Sequence, residues 1–381
     1  MPRYALLILP AFNRVYADSA PRLTRAELDV FAERGLAAGV RAIEETRIGG
    51  LPYVTFETAE PLSGPDVALL SNLSSVYALF GVEGELLRPV ELDPLDRLSS
   101  DLITIQKYAS KTNEHFTKLL LNVTVLASDF PLGGALSVFD PLCGRGTTLN
   151  QALMYGYDAY GLDHDGKDFE AYSGFLRTWL KNKRLKHTAE TVPVRRQRAL
   201  AGRRLDVVFG TTKEAYKAGD TQKVTVVNAD TLRAREFFKP GSFHAVVTDA
   251  PYGVQHGSKG GGGLSRSPLE LLEQATPVWA ELLRPGGALG VSWNTYGGGR
   301  DELAAILTDA LASTWSPTPT SNTGSTRRSC ATSWWRASPP SELVVSLVVA
   351  TWVAFRNSVV TSDRTAGVPK EWQTADWHRW S

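Results

Sequence analysis

The chain has 381 residues, of which 43% are hydrophobic and 21% charged, and its formal net charge is +1. This balance excludes a disordered tail protein, a wholly basic nucleic-acid coat and an acidic tail, but it allows a local basic patch. The two cysteines, Cys143 and Cys330, are too few for a disulfide framework or an all-cysteine zinc site. We therefore expect a large folded protein in a reducing compartment.

Two apolar stretches lie near the ends of the sequence, and neither predicts a targeting or membrane segment. The run from Tyr4 to Pro10 is too short for a secretory signal and is predicted to be a strand. The stretch from Leu343 to Phe355 has 13 residues, whereas a helix that spans a bilayer needs about 20. We expect a cytoplasmic protein without a membrane anchor.

Residues 1–97 are predicted to form a small α+β domain. One helix is expected to begin at Thr24, because Glu27 follows at the spacing of a capping box. A second helix is expected over Gly64–Phe80. The expected strands are Tyr4–Leu9, Pro52–Phe56 and Glu85–Leu92. No residue here is chemically distinctive, so the pattern leaves open whether this domain binds anything.

Residues 98–312 are predicted to form an α/β domain with a doubly wound, Rossmann-like parallel sheet, because strands and helices alternate along them. The expected strands are Ala135–Phe139, Asp158–Leu162, Val224–Val227, His244–Thr248 and Ala288–Trp293. The expected helices are 101–130, 147–155, 167–181, 267–283 and 300–311.

A basic insertion, residues 181–223, interrupts this alternation. It holds 12 basic against four acidic residues, a net charge of +8 in a chain of net +1. It is either an ordinary solvated face or an inserted hairpin that follows the phosphates of a nucleic acid. The basic residues are Lys181, Lys183, Arg184, Lys186, Arg195, Arg196, Arg198, Arg203, Arg204, Lys213, Lys217 and Lys223.

The composition changes in the tail, residues 313–381. Thirteen of the 26 residues from Ser313 to Ser338 are Ser or Thr, and seven of the ten tryptophans lie at or after Trp315. No periodicity is visible, and back-translation of residues 324–336 in a shifted frame gives a strand-like string. Our hypothesis is that a reading-frame error has replaced the native last strands beyond about residue 313.

A glycine-rich loop follows the first strand of the α/β domain. Residues 139–148 read FDPLCGRGTT, and Gly144 and Gly146 would let the backbone approach a ligand closely. A nicotinamide-dependent dehydrogenase would need a third glycine, but Leu149 stands there. Asp140 can pair with an ammonium group, and Asp163 or Asp165 after the next strand can accept ribose hydroxyls.

A second loop follows the strand His244–Thr248 and reads DAPYG over residues 249–253. An exocyclic amine on a base is a poor nucleophile because its lone pair is delocalised into the ring. The carboxylate of Asp249 and a backbone carbonyl at Ala250 or Pro251 can accept its hydrogens, and Tyr252 can stack on a flipped base. This pattern predicts methylation of a base amine.

Together the two loops resemble those of class I S-adenosylmethionine-dependent amino-methyltransferases over residues 100–311. With the stretch QKYASKTNEHFT at 106–117, they are most similar to the THUMP-associated tRNA guanosine-N2 methyltransferases. The resemblance implies a Rossmann-like methyltransferase sheet, S-adenosylmethionine as cofactor, tRNA as the nucleic-acid partner and an RNA-binding N-terminal domain. Ala250 departs from the family, which has Pro there.

The resemblance also implies the site residues. Asp249, Ala250, Pro251 and Tyr252 would be catalytic, and Asp249 would orient the amine during direct methyl transfer. The implied cofactor-binding residues are Asn113, Glu114, Phe116, Thr117, Asp140, Cys143, Gly144, Gly146, Thr147, Asp163, Asp165 and Asp230.

The histidines do not stand at metal-ligand spacing, so no metal is expected. Two alternatives remain: a DNA adenine-N6 or cytosine-N4 methyltransferase, and a non-catalytic RNA-binding protein. A protein partner is left open.

Overall fold

The computed structural model describes residues 1–9, 14–108, 111–196, 199–250, 268–294, 300–314, 329–337 and 345–353. The N-terminal domain is a five-stranded antiparallel sheet in the order β2-β3-β1-β4-β5 with two helices. Its elements are β1 Arg3–Ile8, α1 Arg14–Arg34, β2 Val40–Ile48, β3 Leu51–Thr58, α2 Gly64–Leu70, β4 Val76–Glu83 and β5 Leu86–Val90.

Two predicted helices of this domain are corrected by the structure. Thr24 and Glu27 lie inside α1 and cap nothing: Thr24 Oγ1 donates to Ala20 O at 2.8 Å. The predicted helix Gly64–Phe80 ends at Leu70, and its second half is β4. A capping box does exist, but at Ser63 and Asp66, at the start of α2.

The second part of the chain is built on a nine-stranded sheet in the order β13-β14-β12-β11-β6-β7-β10-β9-β8. Its elements are α3 Asp101–Thr104, α4 Glu114–Ala127, β6 Ser137–Asp140, α5 Thr147–Met154, β7 Asp158–Asp163, α6 Gly166–Asn182, β8 His187–Arg196, β9 Ala199–Phe209, α7 Lys213–Ala218, β10 Gln222–Asn228, a 3-10 helix Thr231–Glu236, β11 Phe243–Asp249, α8 Pro268–Leu282, β12 Leu283–Asn294, α9 Arg300–Thr314, β13 Ser329–Ala337 and β14 Val345–Val353.

Five neighbouring strands, β12-β11-β6-β7-β10, are parallel, and the strands outside them pair antiparallel. Without the β8/β9 hairpin this is a seven-stranded, mostly parallel sheet in which only β14 runs against the rest. The parallel strands are buried on both faces, since one apolar layer holds α4, α5 and α6 and the other holds α8 and α9. The predicted doubly wound α/β fold is confirmed. The predicted helix 101–130 is instead two helices, α3 and α4, because Asn113 has an extended backbone and caps the start of α4.

The described part of the tail contains two strands, although its sequence shows no clear periodicity. β13 and β14 lie there, and β14 pairs with β12 from Ala288↔Thr351 to Asn294↔Val345. The run VSLVVATWV of β14 is rich in β-branched and aromatic residues, which favour strands. β13 and β14 therefore extend the sheet beyond β12; the reading-frame hypothesis stays a prediction that resequencing the gene tests.

One hydrophobic cluster runs across the predicted domain boundary at residue 97. It joins Leu28 and Phe31 of α1 to Leu119 and Val123 of α4, all buried. At its centre Glu27 accepts hydrogen bonds from Ser74 N (2.9 Å) and from Asn122 Nδ2 of α4 (2.7 Å). The N-terminal domain is therefore fixed to the helix that precedes β6.

Candidate active site

The loop between β6 and α5 contains two glycines in left-handed conformations, and they differ in what surrounds them. Gly146 has φ +79°, and a Cβ added to it would overlap the ring of Tyr172. Gly144 has φ +47°, and a Cβ added to it would meet nothing within 4 Å. Gly146 thus allows the loop to pack on α6, whereas Gly144 leaves open space above the loop that suits a closely approaching ligand.

Asp163, the last residue of β7, organises this loop. Its Oδ2 accepts a hydrogen bond from Gly144 N and its Oδ1 accepts one from Asp165 N, both at 2.8 Å. Burial raises the pKa of Asp163, and these hydrogen bonds oppose the shift. Each carboxylate oxygen keeps a further lone pair, so ribose hydroxyls could still bind here.

Asp140 lies beneath the loop and connects it to β11. It is 3% exposed, and its Oδ1 accepts hydrogen bonds from Leu142 N at 3.1 Å and Thr248 Oγ1 at 2.9 Å. Burial raises the pKa of Asp140 to about 7, while these hydrogen bonds and one from Thr148 lower it. Asp140 therefore joins the two predicted functional loops.

Cys143 and Thr147 pack and position the loop. Cys143 is buried, and its Sγ lies 2.7 Å from where a Cβ on Gly161 would be, so the thiol fills the space that this glycine leaves. Burial raises the pKa of the Cys143 thiol. Thr147 Oγ1 lies 3.0 Å from Tyr108 Oη, and the Arg145 guanidinium lies 4.8 Å from the Tyr108 ring centroid.

The residues predicted beside the methionine moiety lie at the start of α4. Asn113 is the N-cap and accepts hydrogen bonds from His115 N at 2.9 Å and Phe116 N at 3.3 Å. Glu114 pairs with Lys111 at 2.7 Å; burial would raise the pKa of Glu114, but the hydrogen bond from Lys111 helps to lower it. Phe116 and Thr117 are buried.

Asp249, the last residue of β11, is held by two hydroxyl groups. Thr112 Oγ1 donates to its Oδ2 at 2.7 Å, and Ser292 Oγ of β12 donates to its Oδ1. Ala250 is buried, and its N–H donates to Ser292 O at 2.8 Å. The carboxylate is thus fixed beside the start of α4 at the carboxyl edge of the sheet. Pro251 and Tyr252 lie outside the described residues.

Asp165 and Asp230 both cap helices on the cofactor side of the sheet. Asp165 Oδ1 accepts a hydrogen bond from Lys167 N at 2.7 Å, which lowers the pKa of Asp165. Asp230 is exposed and accepts from Leu232 N at 2.9 Å. Their predicted contacts with the ribose and the adenine stay predictions.

Three hydroxyl residues of the site were not predicted from the sequence: Thr112, Thr248 and Ser292. Asp249 and Ser292 are register partners on neighbouring parallel strands, so identifying Ser292 requires both the strand order and the register. Thr112 is 137 residues from Asp249, and no local pattern signals that contact. Among the described residues, no group of three His, Cys, Asp or Glu side chains is placed to hold a metal ion.

Comparison with known proteins identifies the domain. Residues 117–278 match the model of the UPF0020 family, described as RMKL-like, methyltransferase domain. No curated protein matches the chain significantly. No described helix is long and apolar enough to cross a membrane.

Solved structures resemble the chain only distantly. An rRNA methylase from Streptococcus thermophilus is 10% identical with a TM-score of 0.34, over 65% of this chain and 99% of that one. A 1,6-didemethyltoxoflavin-N1-methyltransferase from Burkholderia thailandensis, bound to S-adenosylhomocysteine, is 13% identical with a TM-score of 0.33, over 58% and 73%. A methyltransferase from Methanosarcina mazei is 11% identical with a TM-score of 0.32, over 58% and 94%. Similarity at this level does not indicate a substrate.

The family match and the fold agree on a class I methyltransferase, and S-adenosylmethionine is its cofactor. The loop fits this molecule, because Gly144 faces open space and the Asp163 carboxylate stands beside it at the strand end. The assignment to tRNA guanosine-N2 methyltransferases depends on which substrate is methylated, and it stays a prediction.

Proposed function

We propose that the chain methylates an exocyclic amine of a nucleic-acid base, with N2 of guanosine in tRNA as the target. The observation that carries the proposal is the placement of Asp249. Its carboxylate ends the strand beside β6, whose loop is the predicted cofactor site, and Thr112 and Ser292 hold it from two sides. A tRNA substrate would place the activity in the cytoplasm.

This arrangement suits an amine acceptor. S-adenosylmethionine, when bound, supplies an electrophilic methyl group. A carboxylate oxygen can accept several hydrogen bonds, so a carboxylate held by hydroxyl donors can also accept the N–H of a base. A hydrogen bond from one amine N–H to Asp249 reduces the conjugation of the nitrogen lone pair with the ring. The backbone carbonyl of Ala250 can accept a hydrogen bond from the second N–H.

Positioning then supplies most of the rate acceleration, because the fixed carboxylate holds the amine in the orientation needed to attack the methyl group. The proton that leaves the methylated nitrogen can pass to water, so no tuned histidine is required. Asp140, Asp163, Gly144 and Gly146 hold the cofactor loop in place. The similarity of the 106–117, 139–148 and 249–253 stretches to tRNA guanosine-N2 methyltransferases supports the choice of target.

Incubation with radiolabelled S-adenosylmethionine and either tRNA or duplex DNA, followed by digestion to nucleosides, tests the proposal. We expect label in N2-methylguanosine from tRNA, and its loss in Asp249→Ala with cofactor binding unchanged. Label in N6-methyladenine or N4-methylcytosine of DNA would replace the proposal with the DNA alternative. Absence of both label and cofactor binding would leave the non-catalytic RNA-binding alternative.

A further inference from the structure

The β8/β9 hairpin forms one edge of the large sheet and reaches past the active-site end of it. β9 pairs with β10, and Arg203 is level with Asn228, the last residue of β10. β9 begins four residues earlier, at Ala199, so at about 3.4 Å per residue the hairpin extends roughly 13 Å beyond the carboxyl edge. The start of β9 at Ala199 therefore lies beyond the carboxyl edge, on the side where the proposed substrate base would bind.

The hairpin is fixed to the fold. Leu205, Val207 and Phe209 of β9 are buried in the main core. Arg177 of α6 donates to Ala189 O and to Thr191 Oγ1 of β8, both at 2.7 Å. Gly202 passes so close to Asn228 O that a Cβ would lie 2.5 Å from it. These contacts make the hairpin a stable extension of the sheet.

Part of the positive charge here is used inside the protein. Lys183 pairs with Asp101, Arg203 with Glu170 and Arg204 with Asp206. Within residues 181–217, six other cations are exposed and have no acidic side chain within ion-pair distance among the described residues. They are Lys181, Arg184, Lys186, Arg195, Lys213 and Lys217.

The exposed cations stand at both ends of β8. Five of them flank the place where β8 begins and β9 ends, since His187 pairs with Phe209. Phe209 pairs with Gln222 at the start of β10, so these five lie at the amino edge of the sheet, and only Arg195 lies toward the carboxyl edge that holds Asp249. From His187 to Arg195 is eight residues, or roughly 27 Å of strand. Residues 188–194 between them hold no basic side chain, so the arm offers two separate phosphate contacts, one at each end of β8.

The N-terminal domain has the opposite charge. Residues 1–97 contain nine basic and 14 acidic residues, a net charge of −5, against +8 for residues 181–223. Phosphate contacts supply most of the sequence-independent affinity for nucleic acids and need basic groups. The charge distribution therefore favours the hairpin, and opposes the N-terminal domain, as the main phosphate-binding surface.

We propose that the hairpin arm, defined as residues 181–217, binds the sugar–phosphate backbone of an RNA whose target base lies at Asp249; this rests on the proposed function. Five strand spacings separate β8 from β11, about 24 Å at 4.8 Å each. The phosphates on the arm therefore belong to nucleotides distant from the target base. The substrate is a folded RNA, and a short oligonucleotide reaches the active site without reaching the arm.

The test compares two double variants that each remove two exposed arginine or lysine charges. Lys186→Gln/Arg195→Gln changes the arm, and Arg22→Gln/Arg41→Gln changes exposed positions of the N-terminal domain. Binding of a fluorescent tRNA transcript is measured against salt concentration, without cofactor. We expect the arm variant to raise Kd about tenfold and to reduce the slope of log K against log salt by about 2, since each lost phosphate contact reduces it by about 1. The control variant should bind like the wild type.

Methyl transfer separates this inference from the proposed function. The arm variant should lose kcat/KM on tRNA but not on a five-nucleotide RNA that contains the target guanosine. Unchanged tRNA binding in the arm variant, an equal loss in the control variant, or arm-dependent binding of duplex DNA without binding of tRNA would each overturn the inference. Arm-dependent tRNA binding without any RNA methylation would instead contradict the proposed function.

Discussion

Thr112 Oγ1 donates a 2.7 Å hydrogen bond to Asp249 Oδ2, which joins the segment before α4 to the end of β11 across 137 residues of sequence. Ser292 holds the other carboxylate oxygen from β12. Three separate segments of the chain thus converge on one carboxylate. Its orientation is set before any substrate binds, as positioning of a reacting group requires.

Loss of the Thr112 hydroxyl should slow methyl transfer without weakening cofactor binding. A hydrogen bond to a charged group contributes about 1.5–3 kcal/mol, so we expect Thr112→Val to reduce kcat about tenfold. Thr112→Ser keeps the donor and should restore most of the rate. Single-turnover transfer to tRNA measures the effect, and equal impairment by Ser and Val would contradict a positioning role.

The stability of the protein without cofactor should depend on pH through Asp140. Burial raises the pKa of Asp140 from 3.8 to about 7 in the folded state. As pH rises from about 4 to 7, the unfolded chain loses this proton first, so the free energy of unfolding falls across that range.

Asp140→Asn should remove this contribution. The asparagine amide also changes the free energy of unfolding by an amount that does not depend on pH. The informative quantity is therefore how the difference in this free energy between variant and wild type changes with pH. Urea unfolding at pH 5, 6, 7 and 8 measures it. A difference that stays constant with pH would show that Asp140 does not titrate in this range.

Gly144 and Gly146 should respond differently to alanine. Both have positive φ, but only Gly146→Ala also forces a methyl group into the Tyr172 ring. We expect Gly146→Ala to destabilise the fold by more than the roughly 1 kcal/mol of left-handed strain, and Gly144→Ala to cost about that amount.

Cofactor binding should separate the two glycines further. Gly144→Ala places its methyl group in the open space above the loop, so it should raise the Kd for S-adenosylmethionine while the fold survives. Gly174→Ala, inside α6 with nothing within 4 Å of the added Cβ, is the control for both measurements. Thermal unfolding and calorimetric titration give the two quantities; unchanged cofactor affinity in Gly144→Ala would place the ligand elsewhere.

The buried carboxylate of Glu27 should contribute to stability through its partners. Glu27→Ala leaves the donors Ser74 N and Asn122 Nδ2 without their acceptor, which costs about 1–3 kcal/mol. Glu33→Ala on the same helix removes a side chain that is 71% exposed and should stay within about 0.5 kcal/mol of the wild type. Urea unfolding compares them, and equal losses would contradict a specific role for Glu27.

The sequence predicts the buried strands well and the long-range contacts poorly. β6, β7, β10, β11 and β12 lie close to their predicted positions, because parallel strands covered on both faces read as continuous apolar runs. β2 was not predicted: it is an edge strand with exposed charged residues. Glu27 suggested a capping box because only its local spacing was visible, whereas its partners Ser74 and Asn122 are 47 and 95 residues away.

The candidate site shows the same division. The loop sequences identify Asp140, Asp163 and Asp249, because binding an ammonium group, ribose hydroxyls or an amine calls for a carboxylate at the end of a strand. The hydroxyl groups that orient them become visible only once strand order and register are known, as with Ser292 opposite Asp249. An inserted hairpin was one of two alternatives for residues 181–223, and its reach past the carboxyl edge follows from the pairing of Arg203 with Asn228.

The position of β14 determines when the protein can finish folding. β14 is the last described strand in the chain, yet it lies between β12 and β13 in the sheet. During synthesis β13 leaves the ribosome first but has no neighbour to join until β14 arrives. The nascent chain therefore carries an open sheet edge until β14 has been synthesised, and a stop codon between β13 and β14 removes two strands from the sheet instead of one.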